Sequence, residues 1–317
     1  MIGVKKPLLI LTGPTAVGKT HLSIELAKRL NGSIISADSM QVYRYMDIGS
    51  AKIMPEEMAG VRHYLIDVLK PEEEFHVARF QEMAKAALDE IYREGKLPIV
   101  VGGTGFYIQA LLKDVDFSGD QGASSYRREL EEKARAKGPE LLHQMLKEAD
   151  PASAEAIHPN NVKRVIRALE YFHETGLKIS DHNASQMEKE SPYTFAYFVL
   201  NDERSRLYQR IEQRVDQMME QGLLEEVRAL QAMGYHRGMV SMQGLGYKEL
   251  LAYLDGECSL KEAIAVIKRD TRHFAKRQIT WFKREKDVIW LNKQEFGYQE
   301  DAILEEILNR WAEKTRS

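Results

Sequence analysis

The sequence predicts an α/β fold: a P-loop parallel-sheet core with helices on both faces and a helical insertion domain. Apolar runs typical of buried strands alternate with helical spacing over the first 115 residues. A glycine-rich phosphate-binding pattern joins the first of these strands to the first helix. Strand patterns are missing between residues 116 and 191, where charged helical segments take over. We therefore expect a catalytic core formed by 1–115 and 192–317, and a helical insertion at 116–191.

Each element follows from the spacing of its apolar residues. Continuous apolar runs favour strands of a parallel sheet with both faces covered, and recurrence every three to four residues favours helices. The predicted strands are 7–11, 33–38, 63–68, 97–101, 194–200 and 288–291. The predicted helices are 20–30, 75–92, 126–137, 139–149, 162–173 and 203–219.

Residues 13–20 match the phosphate-binding pattern G-x-x-x-x-G-K-[ST], and a strand precedes them while a helix follows. In such a loop, main-chain N–H groups and the helix N-terminus hold phosphate oxygens. Lys19 is expected to neutralise the outer phosphate, and Thr20 to ligate Mg²⁺. The predicted phosphate-binding residues are Gly13, Pro14, Thr15, Ala16, Val17, Gly18, Lys19 and Thr20. The loop alone is typical of ATP-binding sites and does not identify the reaction.

Two further segments end predicted strands and are expected beside the loop. Asp38 closes the second strand, and Gly102–Gly105 follows the strand at 97–101. Ligands of parallel α/β sheets bind beyond the carboxyl ends of the strands, so these segments and the loop should line one crevice. From the residues alone, Asp38 fits a general base, a helix cap or a ligand of Mg²⁺-bound water.

Composition limits the partners that the protein as a whole can attract. The formal net charge is −3, so a nucleic-acid surface must be a local patch. The single cysteine, Cys258, excludes an internal disulfide and a multi-cysteine zinc site. No apolar run approaches the about 20 residues that span a membrane, and the N-terminus leads directly into the first strand. We expect a cytoplasmic protein without membrane contact.

Two basic segments are candidates for such a local patch. Residues 268–285 interleave Lys and Arg with Phe274, Trp281 and Phe282, and Lys163, Arg164 and Arg167 cluster in the insertion. Basic stripes with aromatics suit a phosphate backbone and stacked bases. Solvated helix faces carry the same pattern, so both interpretations stay open at this point.

Taken together, the motifs resemble the tRNA dimethylallyltransferase (isopentenyl-tRNA transferase) family, and the resemblance covers most of the chain. The matching segments are Gly13-Pro-Thr-Ala-Val-Gly-Lys-Thr20, Ser36-Ala-Asp-Ser-Met-Gln-Val-Tyr43, Met46-Asp-Ile-Gly-Ser-Ala-Lys52, Val101-Gly-Gly-Thr-Gly-Phe-Tyr107, the stretch from His158 to Glu170, Arg210-Ile-Glu-Gln-Arg-Val-Asp-Gln-Met218, Gln243-Gly-Leu-Gly-Tyr-Lys-Glu249 and Thr271-Arg-His-Phe-Ala-Lys-Arg-Gln-Ile-Thr-Trp281. Lack of a C-terminal Cys/His zinc module indicates a member of the bacterial type.

The resemblance implies transfer of a dimethylallyl group from dimethylallyl diphosphate to N6 of the adenine 3′-adjacent to the anticodon, with Mg²⁺ as cofactor. It implies that Asp38 is the base, that Lys19, Thr20 and Arg214 stabilise the departing diphosphate, and that the adenine is flipped into the site. The expected partner is the tRNA anticodon stem-loop, and the protein is expected to be a monomer. The implied tRNA-binding residues are Asp38, Ser39, Met40, Gln41, Thr104, Arg127, Lys163, Arg164, Val165, Ile166, Arg167, Gln243, Gly244, Leu245, Gly246, Tyr247 and Lys248.

Three other functions remain as rivals at this stage. A small-molecule kinase would use the loop for phosphoryl transfer but leaves the basic insertion unexplained. A prenyltransferase acting on free adenine nucleotides would share the loop and Asp38. An RNA-binding NTPase switch would need an acidic strand end after four apolar residues to organise Mg²⁺ and water, and the sequence offers no clear candidate for it.

Overall fold

The computed structural model describes residues 5–117 and 124–316. Within these ranges a six-stranded sheet has the order β3-β2-β4-β1-β5-β6, and every neighbouring pair is parallel. The predicted α/β fold class is confirmed. The strands are β1 (Lys6–Thr12), β2 (Gly32–Ala37), β3 (His63–Tyr64), β4 (Leu97–Gly102), β5 (Tyr193–Asn201) and β6 (Val288–Asn292).

The central strand β1 determines where a ligand can bind. Its last residue, Thr12, lies opposite Gly102 of β4 and Val199 of β5. The last residue of β2, Ala37, also lies opposite Gly102. The segments that follow β1, β2 and β4 therefore leave the sheet at one edge, the carboxyl edge, where parallel sheets bind ligands.

The chain crosses the sheet in both directions. From β1 it moves to β2 and then β3 at one side, and from β3 it returns to β4 and continues to β5 and β6. Since crossovers between parallel strands are right-handed, opposite directions place helices on opposite faces. The helices outside the insertion are α1 (Lys19–Arg29), α2 (Val77–Arg93), α3 (Gly105–Leu112), α9 (Arg204–Glu220), α10 (Leu223–Ala232), α11 (Tyr247–Leu254), α12 (Leu260–Phe282) and α13 (Glu300–Arg316), and short 3₁₀ helices occupy Ser241–Gln243 and Lys293–Phe296.

The core around the central strand β1 forms from a continuous apolar segment. Leu8 to Leu11 of β1 are fully buried, as expected for a strand covered on both faces. Apolar side chains of α1, α9 and α13 pack with β1 and β5 in one cluster. The rigid centre of the sheet thus carries the loop that follows β1.

One predicted strand is much shorter than expected. Residues 63–68 were expected to be extended, but β3 contains only His63 and Tyr64. Leu65 and Asp67 have φ values of 62° and 58°, in the left-handed region that interrupts a strand. Alternating apolar residues do not reveal this turn, so the prediction for 65–68 was wrong.

Leu112–Ser191 forms a second compact unit, separate from Met1–Leu111 with Pro192–Ser317. Its described helices are α4 (Ser125–Lys137), α5 (Pro139–Ala149), α6 (Pro151–Ala156), α7 (Val162–Thr175) and α8 (Ile179–Glu188). Leu130, Leu142, Leu146 and Val165 are fully buried in its own small core. The carboxylate of Asp150 accepts hydrogen bonds from Ser153 and Ser180 and so joins the start of α6 to α8.

None of the helices within the described ranges is long and apolar enough to cross a membrane.

Candidate active site

A cleft of about 1270 Å³ opens at the carboxyl edge of the sheet. It collects residues from the phosphate-binding loop, the segment after β2, the segment after β4, the helices α9 and α12, and the stretch before α11. The predicted site residues that line it are Thr15, Ala16, Gly18, Lys19, Thr20, Asp38, Ser39, Met40, Gln41, Thr104, Arg214, Gln243, Gly244, Leu245, Gly246 and Lys248. The expected crevice is therefore present in the structure.

The loop at 13–20 adopts a conformation that its glycines permit. Gly13 and Gly18 have φ values of 147° and 103°, which L side chains rarely adopt. A Cβ at Gly13 would also collide with the carbonyl oxygen of Leu200 at the end of β5. Val17 is fully buried and anchors the loop to the core. The two glycines therefore serve close packing as well as the turn itself.

The backbone donors of the loop are not all directed at one ligand. Pro14 has no N–H, and the N–H of Thr15 donates to the side-chain oxygen of Gln278 at 2.9 Å. The Lys19 ammonium folds back onto the carbonyl oxygens of Gly13 and Pro14, at 2.9 and 2.8 Å. The N–H groups left to hold an anion therefore belong to the second half of the loop, residues 16–20.

Positive charge is concentrated around this loop. Lys19 as a whole residue is partly exposed, but its ammonium is enclosed. Burial of this ammonium lowers the pKa of Lys19 to about 7. The positive charge of Arg214 adds to this lowering of the pKa, and the negative charge of Asp38 opposes the shift. Burial also lowers the pKa of Arg214, with Arg210 adding to the effect and Asp38 opposing it. Because neighbouring cations lower the pKa of both Lys19 and Arg214, an anionic ligand is favoured, since it would relieve this repulsion.

The helix α9 contributes more of this charge than the sequence analysis assigned to it. Arg206, Arg210 and Arg214 recur every four residues, share one helix face, and all line the cleft. The guanidinium of Arg206 also lies over the Tyr298 ring at 3.8 Å. Only Arg214 was predicted; the spacing of four was the available signal for the other two.

Asp38 lies directly after β2 and is fixed by its own backbone turn. Its Oδ1 accepts hydrogen bonds from the N–H groups of Met40 and Gln41, at 2.8 and 3.3 Å. Both bonds use the same oxygen, so the turn does not use Oδ2. Because Asp38 also interacts electrostatically with Lys19 and Arg214, the carboxylate belongs to the same charged cluster as the loop.

The glycines after β4 are explained by close packing. A Cβ at Gly102 would collide with the Ala37 backbone, one at Gly103 with the Gln278 amide, and one at Gly105 with the Trp281 ring. Gly102 therefore allows the close approach of β2, and Gly103 and Gly105 allow α12 to pack against the end of the sheet. Thr104, between the latter two, lines the cleft.

The stretch 243–248 reaches the cleft, but Tyr247 itself is fully buried. The Tyr247 hydroxyl donates to the Glu226 carboxylate at 2.7 Å. That carboxylate also accepts from the backbone N–H groups of Asp47, Ile48 and Gly49, at 2.9, 2.7 and 3.1 Å. Glu226 thus ties α10 and α11 to the loop 47–49. The predicted contact of Tyr247 with tRNA stays a prediction, and its burial restricts that contact to the backbone.

In the second unit, the predicted tRNA-binding residues divide by burial. Lys163 and Arg164 are exposed, whereas Val165 and Ile166 are buried in the core of that unit, which limits any RNA contact of the latter two to their backbone. The Arg127 guanidinium donates to the buried Glu170 carboxylate at 2.6 Å. Arg127 therefore has a structural partner within its own unit.

The basic side chains of the stripe at 268–285 fall into two groups, one paired with carboxylates and one lining a groove. Lys268, Arg269 and Arg272 pair with Asp216, Asp270 and Glu212 respectively. The other half of the stripe faces a shallow groove of about 480 Å³. The groove is lined by His273, Lys276, Arg277, Thr280, Trp281 and Arg284.

The described ranges contain no cluster of three or more His, Cys, Asp or Glu side chains suited to a metal ion. Magnesium differs from zinc in this respect, because it keeps several waters and is often held by one or two protein groups plus substrate phosphates. Thr20, at the start of α1 on the cleft wall, is exposed enough to supply one hydroxyl ligand. The residues present thus fit a magnesium ion that arrives with a diphosphate.

Comparison with known proteins finds relatives along nearly the whole chain. The family model described as IPP transferase matches residues 41–285. The tRNA dimethylallyltransferase of Lachnoclostridium phytofermentans is 62% identical over 309 residues, which cover 98% of each chain.

Two solved structures are similar over most of the chain. The full-length tRNA isopentenylpyrophosphate transferase of Bacillus halodurans is 46% identical with a TM-score of 0.73, covering 99% of both chains. A eukaryotic dimethylallyltransferase, described as acting on tRNA, is 32% identical with a TM-score of 0.79, covering 90% of this chain and 74% of its own.

Proposed function

The chain belongs to the tRNA dimethylallyltransferase family, and we propose that it transfers a dimethylallyl group from dimethylallyl diphosphate to N6 of the adenine 3′-adjacent to the anticodon. The main observation that supports this proposal is that Asp38, Lys19 and Arg214 line one cleft and interact electrostatically with one another. An acceptor for a proton then lies beside cations suited to a leaving diphosphate.

The departing group is the first requirement of this reaction. The C–O bond at the allylic carbon breaks and its electron pair leaves with the diphosphate, whose negative charge grows in the transition state. Fixed donors and cations aimed at that charge lower the barrier. The N–H groups of residues 16–20, the Lys19 ammonium and the Arg214 guanidinium supply them. Thr20 would hold a Mg²⁺ ion, which would neutralise more of that charge.

The acceptor amine is the second requirement. The exocyclic nitrogen of adenine is a weak nucleophile because its lone pair is delocalised into the ring. As the new N–C bond forms, one N–H proton passes to the Asp38 carboxylate, which balances the step. The turn that holds Oδ1 through Met40 and Gln41 keeps the carboxylate oriented for this transfer.

The RNA is the third requirement. An adenine within the anticodon loop must leave its stack to reach a cleft at the sheet edge, and unstacking of one base costs a few kcal/mol. The cleft volume of about 1270 Å³ is large enough for a base and a five-carbon chain. The groove lined by Lys276, Arg277 and Arg284 suits the phosphate backbone, and the exposed Lys163 and Arg164 of the second unit suit further phosphates.

One assay tests the proposal against its rivals. The purified protein is incubated with Mg²⁺, labelled dimethylallyl diphosphate and an unmodified tRNA, with AMP present in equal concentration. We expect label in the tRNA at the adenine next to the anticodon, together with release of diphosphate. Label in AMP would instead indicate a nucleotide prenyltransferase. A parallel reaction contains ATP and a small acceptor in place of dimethylallyl diphosphate. Transfer of the γ-phosphate there, with no prenyl transfer in the first reaction, would indicate a kinase.

A further inference from the structure

Lys293 lies outside every motif described above, yet its side chain ends at the phosphate-binding loop. It follows β6 directly, and its side chain is only 5% exposed. Its ammonium lies 3.4 Å from the carbonyl oxygen of Val17 and 3.8 Å from the Glu300 carboxylate. A buried lysine thus approaches the loop from the carboxyl end of the last strand.

The position of this ammonium bears on the direction of the next N–H. In a trans peptide unit, the carbonyl and the N–H point in opposite directions. The described residues contain no cis peptide bonds, so the Val17 carbonyl and the Gly18 N–H oppose each other. A cation that holds the Val17 carbonyl on one side therefore turns the Gly18 N–H to the other side of the peptide.

Gly18 is flanked by two cations. At the position where a side chain would begin, the nearest heavy atoms are Lys293 Nζ at 3.4 Å and Arg210 Nη2 at 3.5 Å. Gly18 and Arg210 both line the cleft. Lys293 consequently lies behind the peptide whose N–H is turned away from it, and from there its charge adds to the positive potential that an anion on the loop meets.

The protein itself neutralises this ammonium poorly. The Val17 contact is long for a charged donor, and Glu300 lies at 3.8 Å while it also pairs with His21 at 2.8 Å. Burial lowers the pKa of Lys293; Arg210 adds to this effect, while Glu300 and Asp202 oppose it. A buried cation with incomplete compensation destabilises the ligand-free protein, and an anion nearby offsets that cost.

We propose that Lys293 is a positioning residue for the diphosphate, which aims the Gly18 N–H from behind the loop and adds its charge to those of Lys19, Arg210 and Arg214. The inference rests on the proposed function in so far as the ligand is a diphosphate. It assigns a task to a residue that touches the loop and not the reacting atoms.

The test compares Lys293→Met and Lys293→Arg with the wild type and with Lys286→Met. Lys286 is exposed and lies seven residues before Lys293. Because Lys286→Met removes the same charge as Lys293→Met, it controls for the change in the net charge of the protein. Isothermal titration with Mg²⁺-diphosphate gives the Kd, thermal melting with and without that ligand gives stability, and steady-state assays give KM for each substrate.

Lys293→Met should raise the Kd for Mg²⁺-diphosphate and the KM for dimethylallyl diphosphate about tenfold, the size expected for one interaction with a charged group. KM for tRNA should stay within about twofold. The ligand-free Tm should hold or rise, because the variant removes a costly buried charge. Lys293→Arg keeps the charge and should lose less than Lys293→Met, and Lys286→Met should match the wild type.

Unchanged diphosphate binding in a folded Lys293→Met protein would overturn the inference. A large fall in the ligand-free Tm, together with equal losses of affinity for diphosphate and for tRNA, would also overturn it, because that pattern indicates a purely structural residue. Binding of Mg²⁺-diphosphate is measured without prenyl transfer. A wild type that binds diphosphate but does not modify tRNA would therefore refute the proposed function and leave this comparison readable.

Discussion

The side-chain amide of Gln278 joins the Thr15 N–H to the Gly103 carbonyl. Its oxygen accepts from Thr15 at 2.9 Å, and its nitrogen donates to Gly103 at 2.9 Å. Gln278 is buried on α12, the helix whose outer residues line the basic groove. One amide thus fixes the loop after β1 relative to the loop after the neighbouring strand β4, and both loops line the cleft.

Replacing Gln278 by Leu should impair the diphosphate site more than the fold. The substitution leaves the Thr15 N–H and the Gly103 carbonyl without their partner, and each buried polar group left unpaired costs about 1–3 kcal/mol. We expect kcat/KM for dimethylallyl diphosphate to fall at least about tenfold, measured by initial rates at saturating tRNA. The matched control is Gln221→Leu, an exposed glutamine at the end of α9, which should behave as wild type. If Gln278→Leu melts earlier but keeps its kcat/KM, the amide has only a structural role.

Asp38→Asn is expected to separate chemistry from binding. Asparagine retains an oxygen that can accept from Met40 and Gln41, so the turn after β2 should persist. It cannot take a proton from the amine, and loss of a general base typically costs 10²- to 10⁴-fold in rate. We predict that the single-turnover rate decreases by a factor in about this range. The Kd for tRNA should equal that of the wild type or be lower, because the variant lacks one negative charge. Weak tRNA binding with an unchanged single-turnover rate would make Asp38 a binding residue.

From the lowered pKa of Lys19, we predict that stability and diphosphate affinity respond to pH in opposite directions. Its pKa is lowered by burial from 10.5 to about 7, whereas the unfolded chain keeps the ordinary value. Between these values the unfolded state binds more protons, so this residue makes the free energy of unfolding rise with pH. Diphosphate, in contrast, prefers the protonated ammonium, and its affinity should fall as pH rises above about 7.

The measurement is Tm and Mg²⁺-free diphosphate Kd from pH 6 to 9 for the wild type and Lys19→Met. The difference between the wild-type and Lys19→Met values at each pH isolates the contribution of Lys19, since the two proteins share all other titrating groups. The difference in Tm should grow in favour of the wild type with rising pH, while the difference in affinity should shrink. Parallel curves for the two proteins would mean that Lys19 keeps its ordinary pKa in the folded state.

Local sequence patterns were sufficient for the parts of the site that are local. The strand, glycine loop and helix around Lys19 are contiguous, and Asp38 directly follows a strand, so spacing alone placed both at the carboxyl edge. Gln278 and Lys293 lie 263 and 276 residues from their partners in the loop. No periodicity relates positions so far apart. Only the folded chain, in which β5 alone separates β6 from β1, brings Lys293 and Gln278 to the loop after β1.

Charge patterns misled in a different way. The predominantly basic stripe at 268–285 was a candidate RNA surface over its whole length, but Asp216 and Glu212 of α9 neutralise Lys268 and Arg272. A sequence lists charges without their partners on other helices. Burial was equally hidden at Tyr247, whose hydroxyl pairs with Glu226, a residue 21 positions earlier.

Arg127 and Lys163 in the second unit should therefore respond differently to truncation. The Arg127 guanidinium pairs with Glu170, whose side chain is 1% exposed, and breaking a buried pair from one side typically costs about 3–5 kcal/mol. Arg127→Met should lower the Tm of this unit and increase its proteolysis. Lys163 is exposed, so Lys163→Ala should leave Tm unchanged. It should weaken tRNA binding and reduce the slope of log Kd against log salt by about 1, the change expected for one lost phosphate contact.

Both variants are compared with Lys147→Ala, which removes an exposed charge at the end of α5. Filter binding of tRNA at several salt concentrations and limited proteolysis of the free proteins give the two readouts. A salt slope that Lys163→Ala leaves unchanged would remove this lysine from the RNA interface. An Arg127→Met protein as stable as the wild type, but with a reduced salt slope, would mean that the guanidinium leaves Glu170 for a phosphate when tRNA binds.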